Sequence, residues 1–135
     1  MKKFKVLFIL LLAATNLVAQ EQLKKDTQNN NAESKQEYIH STYQLFPTHN
    51  MYTFIKLDTR NGQMWQVQWS TESKSRFETI LSDFSLVNKE QEMNGRFFLY
   101  STTNIYNFIL LDKVDGRTWQ VQWGSEKERA VLRIY

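Results

Sequence analysis

Two aspartates of this sequence recur in equivalent places and could act together as a pair of carboxylates. Asp58 and Asp112 each precede a glycine turn, at Gly62 and Gly116. Glycoside hydrolases use two carboxylates about 5–10 Å apart as acid and base or as acid and nucleophile. An aspartate ahead of a turn also accepts hydrogen bonds from the turn amides, which explains the same spacing without chemistry. The pattern favours a structural turn role for the two aspartates and the two glycines. A small hydrolase that uses the two carboxylates is the catalytic alternative.

Histidine offers no stronger catalytic candidate. The two histidines, His40 and His49, stand outside any metal-ligand spacing, and the chain contains no cysteine. His49 corresponds to Thr103 in a second copy of the same repeat, so the repeat does not require it. No glycine-rich phosphate loop, nucleophile elbow or zinc motif occurs. We therefore predict a protein with no catalytic residue, no metal site and no cofactor.

Tryptophan and glutamine form the main candidate binding set. All four tryptophans lie in two copies of the block Trp-Gln-Val-Gln-Trp. Exposed indole rings stack on sugar rings or on a partner's apolar side chains, whereas buried ones build a core. Each glutamine amide donates and accepts, so rows of them either bind hydroxyl-rich ligands or face water. The candidate ligand-binding residues are Trp65, Trp69, Trp119, Trp123, Gln66, Gln68, Gln120 and Gln122.

Two predicted β-hairpins must position these side chains. They span Tyr52–Trp69 and Tyr106–Trp123, which are 54 positions apart. Each outgoing strand is aromatic and β-branched, as suits a pleated surface. An Asn-Gly pair in one copy and an Asp-Gly pair in the other are the strongest short-range signal for a hairpin turn. Each returning strand alternates, which places tryptophan and valine on one face and glutamine on the other.

The hairpins extend into two copies of a four-stranded antiparallel unit, at about residues 38–86 and 96–135 of a domain spanning 37–135. A four-stranded meander leaves one apolar face uncovered, so two copies bury those faces against each other. We predict an all-β domain, packed as a small pseudo-twofold sandwich or closed like a barrel; a single curved sheet is the alternative. The tryptophan faces of both units are expected to form its core, and the glutamine faces to point to solvent.

The first 20 residues have the pattern of a secretory signal peptide: a basic start, a short apolar run from Val6 to Ala14, and the small residue Ala19 near the end. The apolar run is too short for a membrane span, which needs about 20 residues. An uncleaved N-terminal anchor is the alternative. Residues 21–36 are polar and predict a flexible leader. The signal pattern therefore predicts an exported protein, periplasmic or secreted. Because the chain has no cysteine to carry a lipid, we do not expect a lipoprotein.

The basic balance of the whole chain belongs to the predicted signal. The chain has 17 Lys and Arg against 14 Asp and Glu, a formal charge of +3. Lys2, Lys3 and Lys5 precede the predicted cleavage site and no acid does, which leaves 14 basic against 14 acidic residues. A neutral domain lacks the electrostatic footprint of a nucleic-acid or anionic-lipid binder. We predict neither partner, and no membrane span after signal cleavage.

The doubled motif Tyr-x-Phe-Ile-x-Leu-Asp, a glycine turn and Trp-Gln-Val-Gln-Trp, behind a signal-like segment, resembles a group of small exported bacterial proteins of uncharacterised function. The resemblance covers Tyr52–Trp69 and Tyr106–Trp123. It implies an all-β exported domain and carries over no activity and no catalytic residue. The sequence thus predicts a non-catalytic domain that binds a protein or glycan of the cell envelope. Alternatives are a small hydrolase and an envelope protein that assembles through its terminal edge strand, Arg129–Tyr135.

Overall fold

A computed structural model of the protein describes residues 18–30 and 41–135. Residues 18–30 form an exposed α-helix, in which Gln22 donates to Asp26 over 3.1 Å and the Thr27 hydroxyl donates to the Leu23 carbonyl. Residues 21–30 of the predicted flexible leader lie in this helix, and their Gln, Glu, Leu and Lys side chains are good helix formers. Most of the predicted signal peptide and residues 31–40, including His40, lie outside the described residues.

The rest of the described chain is built from two four-stranded antiparallel sheets, which confirms the all-β prediction. Neither sheet closes into a barrel. In each sheet every strand pairs with its neighbours in sequence, in the orders β1-β2-β3-β4 and β5-β6-β7-β8. Short 3₁₀ segments lie at Ser73–Ser75 and Lys89–Gln91. The strands are β1 Tyr43–Pro47, β2 Thr53–Asp58, β3 Met64–Gln68, β4 Phe77–Ser82, β5 Phe97–Ser101, β6 Asn107–Asp112, β7 Thr118–Gln122 and β8 Ala130–Ile134.

The tight turns after β2 and β6 are closed in the same way. The amide of Gly62 donates to the Asp58 carbonyl over 3.0 Å, and that of Gly116 to the Asp112 carbonyl over 2.8 Å. Both glycines have positive φ, 82° and 70°, which a residue with a Cβ adopts only at a cost. The turns therefore need glycine at both positions for the same backbone reason.

The two glycines differ in the space around them, and this yields a paired prediction. A Cβ on Gly62 would lie 2.7 Å from Leu86 Cδ1, whereas one on Gly116 would have nothing within 4 Å. We expect Gly116→Ala to lower the free energy of unfolding by about 1–2 kcal/mol, the cost of the left-handed backbone. Gly62→Ala should cost roughly 1 kcal/mol more, because Leu86 must also shift. Urea unfolding of both variants measures the difference; equal losses would show that the Leu86 contact is irrelevant.

Each sheet has two chemically different faces. We call the face that carries the tryptophans of β3 or β7 the front face, and the face that carries the glutamines of the same strands the back face. Register aligns the same positions in both sheets: Trp65 lies opposite Lys56 in the first sheet, as Trp119 lies opposite Leu110 in the second. The two sheets can therefore be compared position by position.

The core forms between the back face of the first sheet and the front face of the second. From the first sheet it takes Phe46, Ile55, Leu57, Met64 and Leu81; from the second, Phe97, Leu99, Phe108, Leu110, Trp119, Val121 and Trp123. The tryptophan face of the second sheet is inward, as predicted. That of the first sheet is outward, so the predicted symmetric core between two tryptophan faces is wrong. The two units face the same way, stacked back to front.

Polar contacts also cross this interface. The Gly124 amide donates to Gln66 Oε1 over 3.3 Å, and Arg129 Nη1 donates to both the Ile80 carbonyl and the Thr79 hydroxyl over 3.2 Å. Gln66 is only 6% exposed, so its predicted solvent-facing position is also wrong. Its amide is buried with a hydrogen-bond partner, as buried polar groups require.

Thr59, in the turn after β2, ties the two units together near their edge strands. Its carbonyl accepts the amide of Phe97 at the start of β5, and its hydroxyl accepts the Gly95 amide over 2.9 Å. The same hydroxyl donates to the Ser41 carbonyl ahead of β1 over 2.7 Å. A single buried threonine thus fixes where the second unit begins relative to the first.

Candidate functional site

The candidate functional site is the front face of the first sheet, a largely apolar surface that the second sheet does not cover. Its strand positions follow from the register of β1 to β4. Several of its side chains are about half exposed, among them Tyr43 at 52% and Leu45 at 50%. The front-face residues of the first sheet are Tyr43, Leu45, Phe54, Lys56, Trp65, Val67, Glu78 and Ile80.

Trp65 lies at the centre of this face and is held by its neighbours. The Tyr43 ring meets it edge-on with centroids 6.3 Å apart, and Lys56 Nζ lies 4.6 Å from its ring centroid. Lys56 also donates a hydrogen bond to Glu78 on β4. The result is an aromatic platform with one ion pair across it. Such a platform suits a flat partner surface, since large aromatic groups supply most contact energy at interfaces.

The front face of the second sheet is the repeat copy of this surface, and there it is covered by the first sheet. Phe97 and Leu99, which match Tyr43 and Leu45, are 0% and 2% exposed. Two further positions change character: Leu110 replaces Lys56, and Val131 replaces Glu78. The covered copy is apolar at these two positions, whereas the uncovered copy carries a lysine and a glutamate. At one other position the order is reversed, since Arg133 of the covered copy matches Ile80.

Trp69 and Trp123 lie at the ends of the two front faces and differ in exposure in the same way. Trp69 is 45% exposed and Trp123 is 6% exposed. Both indole N–H groups donate to a carbonyl of the preceding loop, Met51 over 3.0 Å and Ile105 over 3.1 Å. Neither indole N–H is thus left for a ligand, and each ring offers its face or edge.

The glutamines do not form two equivalent exposed rows. Gln66 is buried between the sheets, and Gln68 Nε2 donates to the Ser75 carbonyl. Gln120 lies on the back face of the second sheet, where its Nε2 donates to Asn107 Oδ1 over 2.9 Å. Gln120 and Gln122 are half-buried. Of these four glutamines only Gln66 is buried, so the identical segments differ in environment at their first glutamine.

The two repeated aspartates are engaged in their turns and by different arginines. Asp58 accepts from the Arg60 amide and pairs with both ends of the Arg60 guanidinium, at 3.0 and 2.7 Å. Asp112 accepts from the Val114 amide and from the side chains of Arg96 and Arg117. All these contacts are structural, so they do not present two free carboxylates to a substrate.

Arg96 and Asp112 form a buried ion pair that sequence analysis did not identify. Arg96 is 4% exposed and binds Asp112 through two nitrogens, at 3.0 and 2.9 Å. Burial alone would raise the pKa of Asp112, but hydrogen bonds from Arg96, the turn amides and Arg117 outweigh it and hold the pKa below its usual range. The position matching Arg96 in the first unit is Thr42, so the repeat pattern carries no signal for this pair.

The lowered pKa of Asp112 makes the stability of the fold depend on acid pH. The unfolded carboxyl titrates near pH 3.9, above the folded-state pKa, so ionised Asp112 stabilises the fold above that pH. This contribution is lost as the pH falls through the folded-state pKa. We expect the free energy of unfolding of the wild type to fall more steeply between about pH 5 and about pH 2 than that of Asp112→Asn. Urea unfolding across this range tests it; identical acid slopes would contradict it.

His49 lies beside a cleft of about 260 Å³ at the end of the interface between the sheets. The cleft is lined by His49 and Asn50 of the first unit and by Ile105, Tyr106 and Trp123 of the second. The Tyr106 and Trp123 rings pack with centroids 5.7 Å apart and form an aromatic wall. Among residues 18–30 and 41–135 there is no group of three or more histidine or acidic side chains placed to hold a metal ion.

Comparison with protein-family models, with curated proteins and with solved structures found no match to this chain. Within the described residues, no helix combines the length and apolar character needed to cross a membrane.

Proposed function

We propose that this protein is an exported, non-catalytic binding domain that holds a protein partner on the front face of its first sheet. The observation that supports it most is the contrast between two copies of one surface. In the second sheet a protein sheet covers the surface, and in the first the same residues are more accessible: Leu45 and Trp69 are exposed, and Phe54, Trp65 and Val67 are half-buried. A contiguous apolar face on a small domain is typical of an interaction site.

Site-specific photocrosslinking in the producing cells tests this proposal. A photoreactive residue is placed in the full-length protein at Leu45, on the front face, and separately at Glu72, on an exposed hairpin tip. We expect one defined protein adduct from position 45 and none from position 72. Mass spectrometry of the adduct identifies the partner. If position 45 gives no adduct, the front face does not bind protein.

Export is tested separately by the mature N-terminus. Protein recovered from the periplasmic and extracellular fractions is expected to begin at residue 20 or 21, which intact mass measures directly. Recovery only from the cytoplasm, with residues 1–20 retained, would overturn the export part of the proposal. The front-face part would then still be tested by the crosslinking experiment.

The cleft beside Trp123 supports a second candidate function, binding of an envelope glycan. Its aromatic wall of Tyr106 and Trp123 and its polar edge of His49 and Asn50 are the groups that sugar sites combine. Titration with soluble cell-wall oligosaccharides, followed by tryptophan fluorescence, is expected to show binding that Tyr106→Ala removes. Tyr52→Ala, the matching change in the other unit, is the control. No saturable signal, or an equal loss in both variants, would exclude this cleft.

A further inference from the structure

We infer that the partner of the exposed front face is a second copy of this chain, which covers it with the back face of its own second sheet. The inference rests on the front face proposed above and names its occupant. Within the chain, the back of the first unit covers the front of the second. The domain has two outer faces, the front of the first unit and the back of the second. They are the repeat copies of the two faces that meet inside the chain.

The front faces are alike at most positions of the first three strands. Five of the aliphatic and aromatic side chains that insert into the internal interface from the second sheet have the same identity on the exposed face, whereas Phe97, Leu110 and Val131 match Tyr43, Lys56 and Glu78 there. The identical pairs are Leu45 and Leu99, Phe54 and Phe108, Trp65 and Trp119, Val67 and Val121, and Trp69 and Trp123. The exposed front face therefore has the shape and chemistry of a surface that already accepts a back face.

The back faces are alike at four positions of their two central strands, whereas Phe46 and Met64 of the buried back face match Tyr100 and Thr118 of the outer one. Ile55, Leu57, Gln66 and Gln68 of the internal interface match Ile109, Leu111, Gln120 and Gln122 on the outer face of the second sheet. Leu132 and Ile134 of β8 add exposed apolar area there, at 56% and 41% exposure. The outer back face of one molecule can therefore cover the outer front face of another.

Side chains for two of the polar contacts of the internal interface also recur at the open ends, whereas the Arg129–Thr79 contact does not, since Leu132 takes the place of Thr79. Gln66 accepts the Gly124 amide inside the chain, and its copy Gln120 can accept the Ser70 amide of the next molecule. Arg129 donates to the Ile80 carbonyl, and its copy Arg76 is exposed and can donate to the Arg133 carbonyl of the next molecule. This accounts for the identity of the two Gln-x-Gln segments, which water contact alone does not require.

The Lys56–Glu78 ion pair sets the strength of the association. It occupies the positions of Leu110 and Val131, which are apolar in the covered sheet. A copy that docks here must partly desolvate both charges, and replacing such a pair by well-packed apolar residues often strengthens an interface. Because the interface is front to back, repetition gives a closed ring if the rotation closes and an open filament if it does not.

The test combines variants of the two faces in the full chain, measured by sedimentation velocity from micromolar to millimolar concentration. Leu45→Glu blocks the front face and Leu132→Glu blocks the back face; both positions are exposed, so the fold is retained. We expect the wild type to associate and each variant alone to lose association by more than about tenfold. A mixture of the two is expected to form a one-to-one dimer through the intact front of one and the intact back of the other.

The Lys56→Leu, Glu78→Val double variant is expected to associate about tenfold or more tightly than the wild type. If Leu132→Glu alone still dimerises, the contact is front to front and the inference is overturned. If the wild type and the double variant are both monomeric at every concentration, a second copy is not the occupant. In that case a crosslinked adduct at position 45 with a different protein still supports the proposed function.

Discussion

Replacing Trp119 with alanine is expected to lower the free energy of unfolding by about 3–5 kcal/mol, the usual cost of removing a buried tryptophan. Trp119 is 6% exposed, and its ring centroid lies 6.1 Å from that of Phe97. Since small domains are stable by about 5–15 kcal/mol in total, this single change removes a large part of the stability. Urea unfolding at a concentration where the chain is monomeric measures the loss.

Trp65→Ala is the matched control, because it makes the same change at the same place in the other repeat. Trp65 contacts Tyr43 and Lys56 on a surface that neither sheet of residues 41–135 covers. Loss of one aromatic pair and one cation–π contact is expected to cost only about 1–2 kcal/mol. Equal destabilisation by the two variants would contradict the back-to-front arrangement, since it would mean that both tryptophans are equally buried.

Replacing Asp112 with alanine is the second change of large expected effect. It leaves the buried guanidinium of Arg96 without its bidentate partner and removes the acceptor for the Val114 amide. Breaking a buried ion pair from one side costs about 3–5 kcal/mol. We expect about 3 kcal/mol, the lower end, because Asp115 still contacts Arg96 at 2.6 Å. Thermal and urea unfolding both measure the loss.

Asp115→Ala is the control for this cluster. Asp115 contacts the same arginine but its side chain is 42% exposed, so solvent replaces much of what the contact provides. Exposed ion pairs contribute about 0–1 kcal/mol, and a loss in that range is expected. If Asp115→Ala proved as destabilising as Asp112→Ala, the exposed carboxylate would be the main partner of Arg96. The account of a buried pair would then be wrong.

The hairpins and their turns could be predicted from sequence because their causes are local. Alternation and the Asn-Gly and Asp-Gly pairs act within a few residues, and β2, β3, β6 and β7 lie where these patterns place them. The direction in which each sheet faces could not be predicted in this way. Both copies carry the same tryptophan and glutamine faces, and an interface between them can use either face of either copy.

A signal for the exposed copy was nevertheless present in the differences between the repeats. Lys56 and Glu78 stand where the other copy has Leu110 and Val131, and a lysine and glutamate in mid-sheet favour a face that remains in contact with water. By contrast, the burial of Gln66 could not be predicted, because Gln120 is the same residue in the same motif. Its environment depends only on which unit lies next to it.

The back-to-front arrangement also has a consequence for the order of folding. Ile55, Leu57 and Met64, all fully buried, are covered by residues that come later in the chain. Because each sheet pairs only strands that are neighbours in sequence, the first sheet can form as soon as its own residues are available. Its apolar back then stays in contact with water until the second sheet is complete. A nascent or truncated chain that ends near Ser82 is therefore the form of this protein most prone to aggregate.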